Sequence, residues 1–332
     1  MLKKLKFISS KLGKNPLLVQ GAGGNTSIKI EGSMHIKASG TWLSSADRDA
    51  IFVHVSLEKI RQNINLGLIN PLEGSSLDNN PLRPSIETTL HALMPHTVVL
   101  HTHPVELLSL IVQKNSKFNL TKIFYDLNWS WVDYARPGIE LTRNVHAVLN
   151  GKKSDILILE NHGLVVGGRD CEEAMKLIEK VIECCKKNTR IFQDPDELML
   201  IKYAQKLNMI PARNNIIHAL AMDNSVNKYC HMKSTILYPD QAVFLGPRLN
   251  CINANDFLSF SNQEIPYNYV ILNGIGVFIA KNSKPEIEDM LTCHAEILLR
   301  IPPGTELSYL STNDVNMLID WEAEKYRQNL EN

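Results

Sequence analysis

Three histidines in this chain occur in a pattern that suits a metal ion. His101 and His103 lie one residue apart at the end of the apolar run "VVLHTHP". Side chains alternate faces along a strand, so both imidazoles are expected on one face. His162 follows another apolar run, on a turn where Asn161 and Gly163 allow the backbone to bend. Three neutral imidazoles would leave a position open for water or substrate, as a catalytic zinc requires. Taken alone, the first two histidines are equally consistent with an acid/base pair or an ordinary strand end.

Glu87 is the candidate for moving a proton at such a metal centre. It lies just before the histidine strand, on the predicted short helix "SIETTLHALMP", for which Ser85 is the expected N-cap. A metal here would polarise a carbonyl oxygen and stabilise an enediolate, and this chemistry needs a nearby carboxylate. The alternative is an exposed glutamate in a first helical turn, where the helix dipole favours negative charge.

Two glycine-containing turns can present backbone N–H groups to an anion. They are "GAGGNTS", from Gly21 to Ser27, and "KASGTW", which contains Ser39-Gly40. The first is not a P-loop, because no Gly-Lys-Ser/Thr follows, and it does not open a helix as a dinucleotide-binding turn does. Taken alone, it predicts a hairpin turn.

The composition is that of a globular protein without a strongly charged surface. Lys plus Arg and Asp plus Glu both number 35, so the net charge is zero. This balance gives no support for binding nucleic acid or an anionic membrane, and no apolar run reaches the length of a membrane span. The six cysteines form no C-x-x-C pair. They do not resemble a disulfide framework, which predicts a reducing compartment and hence the cytoplasm.

The order of elements is mixed α and β. Several short apolar strands are joined by turns typical of hairpins, and "RDCEEAMKLIEKVIECCKKNTRIF" predicts a long amphipathic helix. Hairpin connections argue against an all-parallel sheet.

The C-terminal part repeats the strand, glycine turn, strand and helix pattern that surrounds His162. Aligning Gly276 with Gly163 places Ile275 at the position of His162. The alternative is that any two hairpin-plus-helix units look alike.

A second, shorter match aligns "YPDQAVFLGP" with "MPHTVVLHTHP". It places Leu245 and Pro247 where His101 and His103 stand. From this match we predict that the strand folds without histidines, which would leave the two histidines available for a metal.

Five motifs in order resemble the class II aldolase/adducin family: "GAGGNTS", "KASG", "PSIE", "HTHP" and "ENHG". Familiar members of that family act on fuculose, rhamnulose and ribulose phosphates. The resemblance covers roughly residues 15–195 and is greatest to the aldolase-like domain of bifunctional rhamnulose-phosphate aldolase/dehydrogenase proteins. No G-x-G-x-x-G in a βαβ unit follows residue 196, so a dehydrogenase part is not expected here.

The resemblance implies an α/β/α layered domain with a mostly antiparallel central sheet. We place this catalytic domain at residues 1–200 and a helical connection at 201–235. Residues 236–332 are predicted to form a smaller, degenerate aldolase-like α/β unit without metal ligands.

The resemblance also assigns roles to individual residues. It implies that His101, His103 and His162 are the metal ligands and that Glu87 is the acid/base carboxylate. Tyr125 is the nearest match to a tyrosine that family aldolases use after the second histidine of the strand.

Phosphate-binding residues are implied at the turns and at the serine before the acid. They are Gly24, Asn25, Ser39, Gly40 and Ser85. Ile86 stands where fuculose-type aldolases carry a second serine, which removes one hydroxyl from a site for a phosphomonoester.

The activity implied by the resemblance is carbon–carbon cleavage or formation in a ketose phosphate or related sugar. The metal would be Zn²⁺ or another divalent ion such as Mn²⁺, Co²⁺ or Fe²⁺, since three imidazoles accept several of these. Family epimerases tend to have Asp where Glu87 stands, which favours an aldolase. An epimerase, dehydratase or decarboxylase of a sugar phosphate is the alternative on the same fold.

An alternative of another class is a non-catalytic, adducin-like scaffold, although such members have lost the metal histidines. A homo-oligomer, dimeric or tetrameric, is implied, with a sugar or sugar phosphate as the small-molecule partner and neither nucleic acid nor membrane.

Overall fold

The chain is divided into two units in a computed structural model that describes residues 1–232, 235–253 and 267–330. The first unit comprises Met1–Lys186 together with the residues from Asp320 onward, and the second comprises Lys187–Ile319. This division differs from the predicted one. The stretch 201–235 is part of the second unit rather than a connection, and the end of the chain returns to the first.

The first unit is built on a seven-stranded sheet with the order β3-β2-β1-β4-β7-β6-β5. Only the pair β5–β6 is parallel, and the other five pairs are antiparallel. The mostly antiparallel α/β sheet expected from the sequence is therefore confirmed. The strands are β1 Asn25–Ile30, β2 Ser33–Lys37, β3 Phe52–Ser56, β4 Val98–Thr102, β5 Trp129–Val132, β6 Ile156–Leu159 and β7 Gly163–Gly168.

Seven helices of the first unit precede the second unit in the sequence. They are α1 Leu2–Gly13, α2 Leu57–Asn65, α3 Thr88–Leu93, α4 Val105–Ile111, α5 Ser116–Ile123, α6 Ile139–Leu149 and α7 Cys171–Cys185. The prediction for α3 was wrong at its start. Glu87 rather than Ser85 occupies the N-cap position, because Ser85 forms a tight turn in which its carbonyl accepts the N–H of Thr88.

A buried apolar cluster of the first unit covers one face of the sheet near the histidines. Leu90 of α3, Val145 of α6 and Val99 of β4 belong to one buried apolar cluster. His101 follows Val99 by two residues, so its side chain lies on the face that α3 covers. Helix α3 therefore carries the adjacent Glu87 toward the histidine strand.

The second unit contains a four-stranded sheet with the order β8-β11-β10-β9. Its strands are β8 Ile210–Pro211, β9 Cys251–Asn253, β10 Tyr269–Asn273 and β11 Gly276–Ile279. Its helices are α8 Glu197–Leu207, α9 Ala219–Met222, α10 Asn224–Cys230, α11 Pro239–Leu245, α12 Pro285–Arg300 and α13 Thr312–Ile319. A last helix, α14 Glu322–Asn329, belongs to the first unit.

The structure supports one of the two internal matches and contradicts the other. Ile275 lies in the turn of the hairpin β10–β11, which α12 follows, as predicted. The alignment of "YPDQAVFLGP" with the histidine strand was wrong, because this segment is the helix α11. Pro239 suits the first turn of a helix, and the Gln241 side chain accepts the N–H of Leu237. Leu245 thus ends a helix and Pro247 follows it, so neither stands at a strand end.

Among the described residues, no helix combines the length and the apolar character needed to cross a bilayer. All six cysteines lie in the described part of the chain, and none forms a disulfide.

Candidate metal centre

The three predicted histidines come together at the end of β4. His101 is the penultimate residue of that strand, His103 directly follows the strand, and His162 lies in the turn between β6 and β7. Strand β7 pairs with β4, and the register Thr102↔Leu164 brings this turn beside His101 and His103. The ligand atoms of the three side chains lie within 4.8 Å of one another, and all three side chains are buried.

The tautomer of His101 is fixed by a backbone carbonyl. Its Nδ1 lies 2.9 Å from the oxygen of Leu164, to which only a protonated Nδ1 can donate. The lone pair of Nε2 is therefore directed toward His103, whose own Nε2 is 3.0 Å away. Orientation of one ring nitrogen by a carbonyl is typical of histidines that bind metal through the other.

Two glycines permit the close packing around these rings. A Cβ on Gly163 would lie 2.7 Å from the Thr102 oxygen and 2.8 Å from Cδ2 of His103. A Cβ on Gly24, whose φ is +59°, would lie 2.9 Å from the backbone oxygen of His101. Any other residue at these positions would displace the strand that carries two of the histidines.

Glu87 places its carboxylate directly against two of the rings. Its Oε2 is 3.3 Å from Nε2 of His101, and its Oε1 is 3.4 Å from Nε2 of His162. Burial opposes ionisation of this carboxyl. Electrostatic interactions with His101, His162 and His103 and a hydrogen bond from Asn25 outweigh burial and lower its pKa to about 2. Glu87 is therefore an ionised base at neutral pH.

A buried chain of hydrogen bonds holds Glu87 in this position. Asn25 Nδ2 donates to Glu87 Oε2 at 2.7 Å, and Asn25 Oδ1 lies 2.5 Å from Nε2 of His91. Nδ1 of His91 lies 2.7 Å from the hydroxyl of Ser27. Since Asn25 accepts through Oδ1, His91 carries its proton on Nε2 and accepts from Ser27. Each group thus donates to the next, from Ser27 to His91, Asn25 and Glu87.

The donors fit a divalent transition metal. Two nitrogens bound to one tetrahedral zinc at the usual Zn–N distance are separated by about 3.3 Å, close to the 3.0 Å between Nε2 of His101 and Nε2 of His103. The third imidazole and the Glu87 carboxylate face the same point. Three histidines with one further position are typical of catalytic rather than structural zinc sites. This group can therefore hold a metal ion, whose identity the three imidazoles do not specify.

Residues 9–189 match the family described as Class II Aldolase and Adducin N-terminal domain. The match spans more than half of the 332 residues. The chain belongs to this family. The assignment predicted from the five motifs is confirmed, and the matched region contains all three histidines and Glu87.

One curated relative of this aldolase-family chain comes from Bacillus subtilis (strain 168) and is named uncharacterized oxidoreductase YuxG. It is 28% identical over 212 residues, covering 59% of this chain and 29% of the relative. This chain therefore spans less than a third of that protein.

Two solved structures illustrate the structural similarity. The N-terminal class II aldolase domain of a conserved protein from Thermoplasma acidophilum is 24% identical with a TM-score of 0.49, covering 55% of this chain and 90% of that one. A sugar-phosphate aldolase from Thermotoga maritima is 20% identical with a TM-score of 0.44, covering 55% and 91%. Both TM-scores lie below 0.5, so the family assignment rests on the sequence match.

The predicted anion-binding turns of this family member lie close together. Ala38 pairs with Pro84 in an isolated bridge, and the N–H of Ser39 donates to the oxygen of Arg83. These contacts place Ser39-Gly40 beside Ser85. The predicted residues of the turns are all buried: Gly24, Asn25, Ser39, Gly40 and Ser85. The side-chain amide of Asn25 is already bonded to Glu87 and His91.

Tyr125 is exposed, unlike the buried residues of this cluster. It follows α5, and its side chain is 84% exposed. Its assignment as a catalytic tyrosine stays a prediction.

Sequence reasoning missed His91 and Ser27. A weak signal was present, because His91 follows Glu87 by four residues and so lies on the same side of α3. The partner of His91 on β1 could not be recognised, since Ser27 is 64 positions away in sequence.

Proposed function

We propose that this protein is a metal-dependent aldolase that cleaves or forms a carbon–carbon bond in a sugar, a ketose phosphate or a related hydroxycarbonyl compound. The observation that carries the proposal is the convergence of three buried imidazoles and one buried carboxylate on a single point. Burying four ionisable side chains at one point costs free energy unless they are paired or bind a ligand, and a shared cation would bind all of them at once.

The role of the cation follows from its ligands. A divalent ion held by His101, His103 and His162 would polarise the carbonyl group of the substrate. Zn²⁺ suits three imidazoles, and Mn²⁺, Co²⁺ or Fe²⁺ are also compatible with them.

Glu87 is the group that moves the proton. In the cleavage direction, its carboxylate accepts the proton of the hydroxyl that is β to the carbonyl. The bond between the α and β carbons then breaks, the β carbon leaves as an aldehyde, and the electron pair stays on the carbonyl fragment. Glu87 returns the proton to that fragment. The hydrogen bond from Asn25 holds the carboxylate in one orientation while it accepts the proton and while it returns it.

A first experiment combines metal analysis with an activity panel. The purified protein is expected to contain about one divalent ion, and His101→Ala is expected to lose it. His146→Ala, which alters an exposed histidine on α6, is the matched control and should retain the metal. Protein without metal, and unchanged by His101→Ala, would contradict the proposal.

The second experiment tests the acid/base role. Glu87→Gln keeps the shape of the side chain and is expected to lower the rate of aldol cleavage by about 10²- to 10⁴-fold, the range typical of a removed general base. Product analysis on sugars and sugar phosphates distinguishes an aldolase from an epimerase, dehydratase or decarboxylase. Full function of the Glu87→Gln variant would favour the adducin-like scaffold instead.

The dimeric or tetrameric state and the cytoplasmic location remain predictions. Analytical ultracentrifugation and fractionation of cells, respectively, check them.

A further inference from the structure

We propose that the substrate of this enzyme is unphosphorylated. Helix α14 of the same chain occupies the place beside Ser39-Gly40 and Ser85 where a phosphate group would bind. The inference rests on the proposed aldolase function and specifies its substrate class. The expected substrate is an unphosphorylated polyhydroxy carbonyl compound.

The contact at Gly40 is the first observation. This residue has φ +80°, and a Cβ placed on it would lie 3.0 Å from the backbone oxygen of Arg327 and 3.0 Å from Cβ of Leu330. The end of α14 therefore packs directly on the glycine of the second anion-binding turn. An anion could not approach this side of Gly40 while the helix is in place.

Arg83 lies next to the same turn and is already engaged by α14. Its Nη1 is 2.7 Å from Oε1 of Glu322, and its guanidinium lies 4.3 Å from the ring centre of Tyr326. The backbone N–H of Arg83 also donates to the Tyr326 hydroxyl at 3.4 Å. The cation that could have attracted a phosphate is thus paired with a carboxylate of the helix.

Trp321, which immediately precedes α14, packs against Gly138. A Cβ on Gly138 would lie 2.9 Å from Cη2 of Trp321 and 3.8 Å from the backbone oxygen of Ile86. The guanidinium of Arg136 lies 5.1 Å from the centre of the indole ring. Gly138 is therefore a neighbour of both the indole and the backbone of Ile86, whose side chain offers no hydroxyl.

Two buried cations near these turns already have partners. Glu324 is 1% exposed, and its carboxylate lies 3.2 Å from Nη1 of Arg327. Lys37, on strand β2, is 2% exposed and donates to the oxygen of Ala22 at 2.9 Å. A phosphate dianion would have to disrupt these contacts before it could pair with either cation, at a high cost in desolvation.

The direct test is binding of inorganic phosphate to the 332-residue, zinc-loaded protein by isothermal titration calorimetry. The expected result is no saturable binding at millimolar concentration, with unchanged hydrogen exchange in residues 322–330. Saturable binding that Ser85→Ala weakens, with faster exchange in those residues, would overturn the proposal and identify α14 as a lid. Binding that Ser85→Ala leaves unchanged lies elsewhere and agrees with the proposal.

A paired activity test separates this inference from the proposed function. Dihydroxyacetone and dihydroxyacetone phosphate are compared as donors with the same aldehyde, and the unphosphorylated donor is expected to be favoured by about tenfold or more. Preference for the phosphorylated donor would support the aldolase function and refute the inference. Inactivity with every aldol pair would count against the function, whereas the phosphate titration would still decide the inference.

Discussion

The side-chain amide of Asn25 donates a hydrogen bond of 2.7 Å to the carboxylate of Glu87. This contact joins β1 to the start of α3, and the register Asn25↔His101 places it beside the histidine strand. The same amide accepts from His91, whose pKa is lowered to about 3, chiefly by burial. His91 is thus neutral at ordinary pH, so the chain of hydrogen bonds that orients Glu87 persists over the working range.

Replacing Asn25 with alanine should destabilise the protein by about 2–6 kcal/mol. Two buried groups, the carboxylate of Glu87 and the Nε2–H of His91, would each lose a partner, at roughly 1–3 kcal/mol apiece. Urea unfolding of the metal-free protein measures the change. Thr121→Ala on the exposed face of α5 removes only a local hydrogen bond to Lys117 and serves as the control. A loss below about 1 kcal/mol in Asn25→Ala would show that the chain of hydrogen bonds is not stabilising.

Ser27→Ala tests whether the four groups act as one chain. Alone, it removes the hydroxyl that His91 Nδ1 accepts from and should cost about 1 kcal/mol or more. In the Asn25→Ala background the cost should be smaller, because the His91 ring is no longer held at its other nitrogen. A double-mutant cycle measures this coupling, which is expected at about 0.5–3 kcal/mol for groups in one network. Additive effects would mean that the two hydrogen bonds are independent.

The pattern of the histidines could be predicted from the sequence, whereas their supporting contacts could not. His101 and His103 share a face because strand side chains alternate, and that is a local property. The bond from Asn25 to Glu87 and the return of α14 to Gly40 depend on pairing between distant segments. No periodicity in the chain encodes which segments those are.

The error at α11 has a local physical cause. "YPDQAVFLGP" contains a short apolar run, and such runs do not distinguish a buried strand from a helix. Pro239 and Asp240 were available signals for a helix start, but the similarity to the histidine strand outweighed them. Segment 238–247 is thus not a histidine-free copy of the strand, and the evidence for a metal site is the convergence of the three rings.

Gly163→Ala should weaken metal binding while leaving every ligand in place. The added Cβ would push against His103 and the strand end at Thr102, so the three rings could no longer converge. We expect a loss of metal affinity of about 10- to 100-fold, as when the support of a ligand is removed. Competition with a chromophoric chelator measures it.

Gly167→Ala is the matched control for that change. Its Cβ would collide with Nδ1 of His96, so it disturbs the same strand without touching the three ligands. It is expected to lower stability and leave metal affinity nearly unchanged. Equal losses of affinity in both variants would mean that general destabilisation, rather than displacement of the histidines, is responsible.

The buried His294 should make the second unit sensitive to acid. It is 1% exposed on α12, its Nδ1 has no hydrogen-bond partner in the described structure, and burial lowers its pKa to about 3. Between about pH 6.5 and pH 3 the unfolded chain binds a proton that the folded chain does not, so stability falls as the pH falls. This residue contributes at most about 1.4 kcal/mol per pH unit to the slope of unfolding free energy against pH.

His294→Met should reduce that slope by up to this amount in urea unfolding between about pH 7 and pH 5. His231→Met, at an exposed position, should leave the slope unchanged. Parallel profiles for the wild type and His294→Met would refute the prediction.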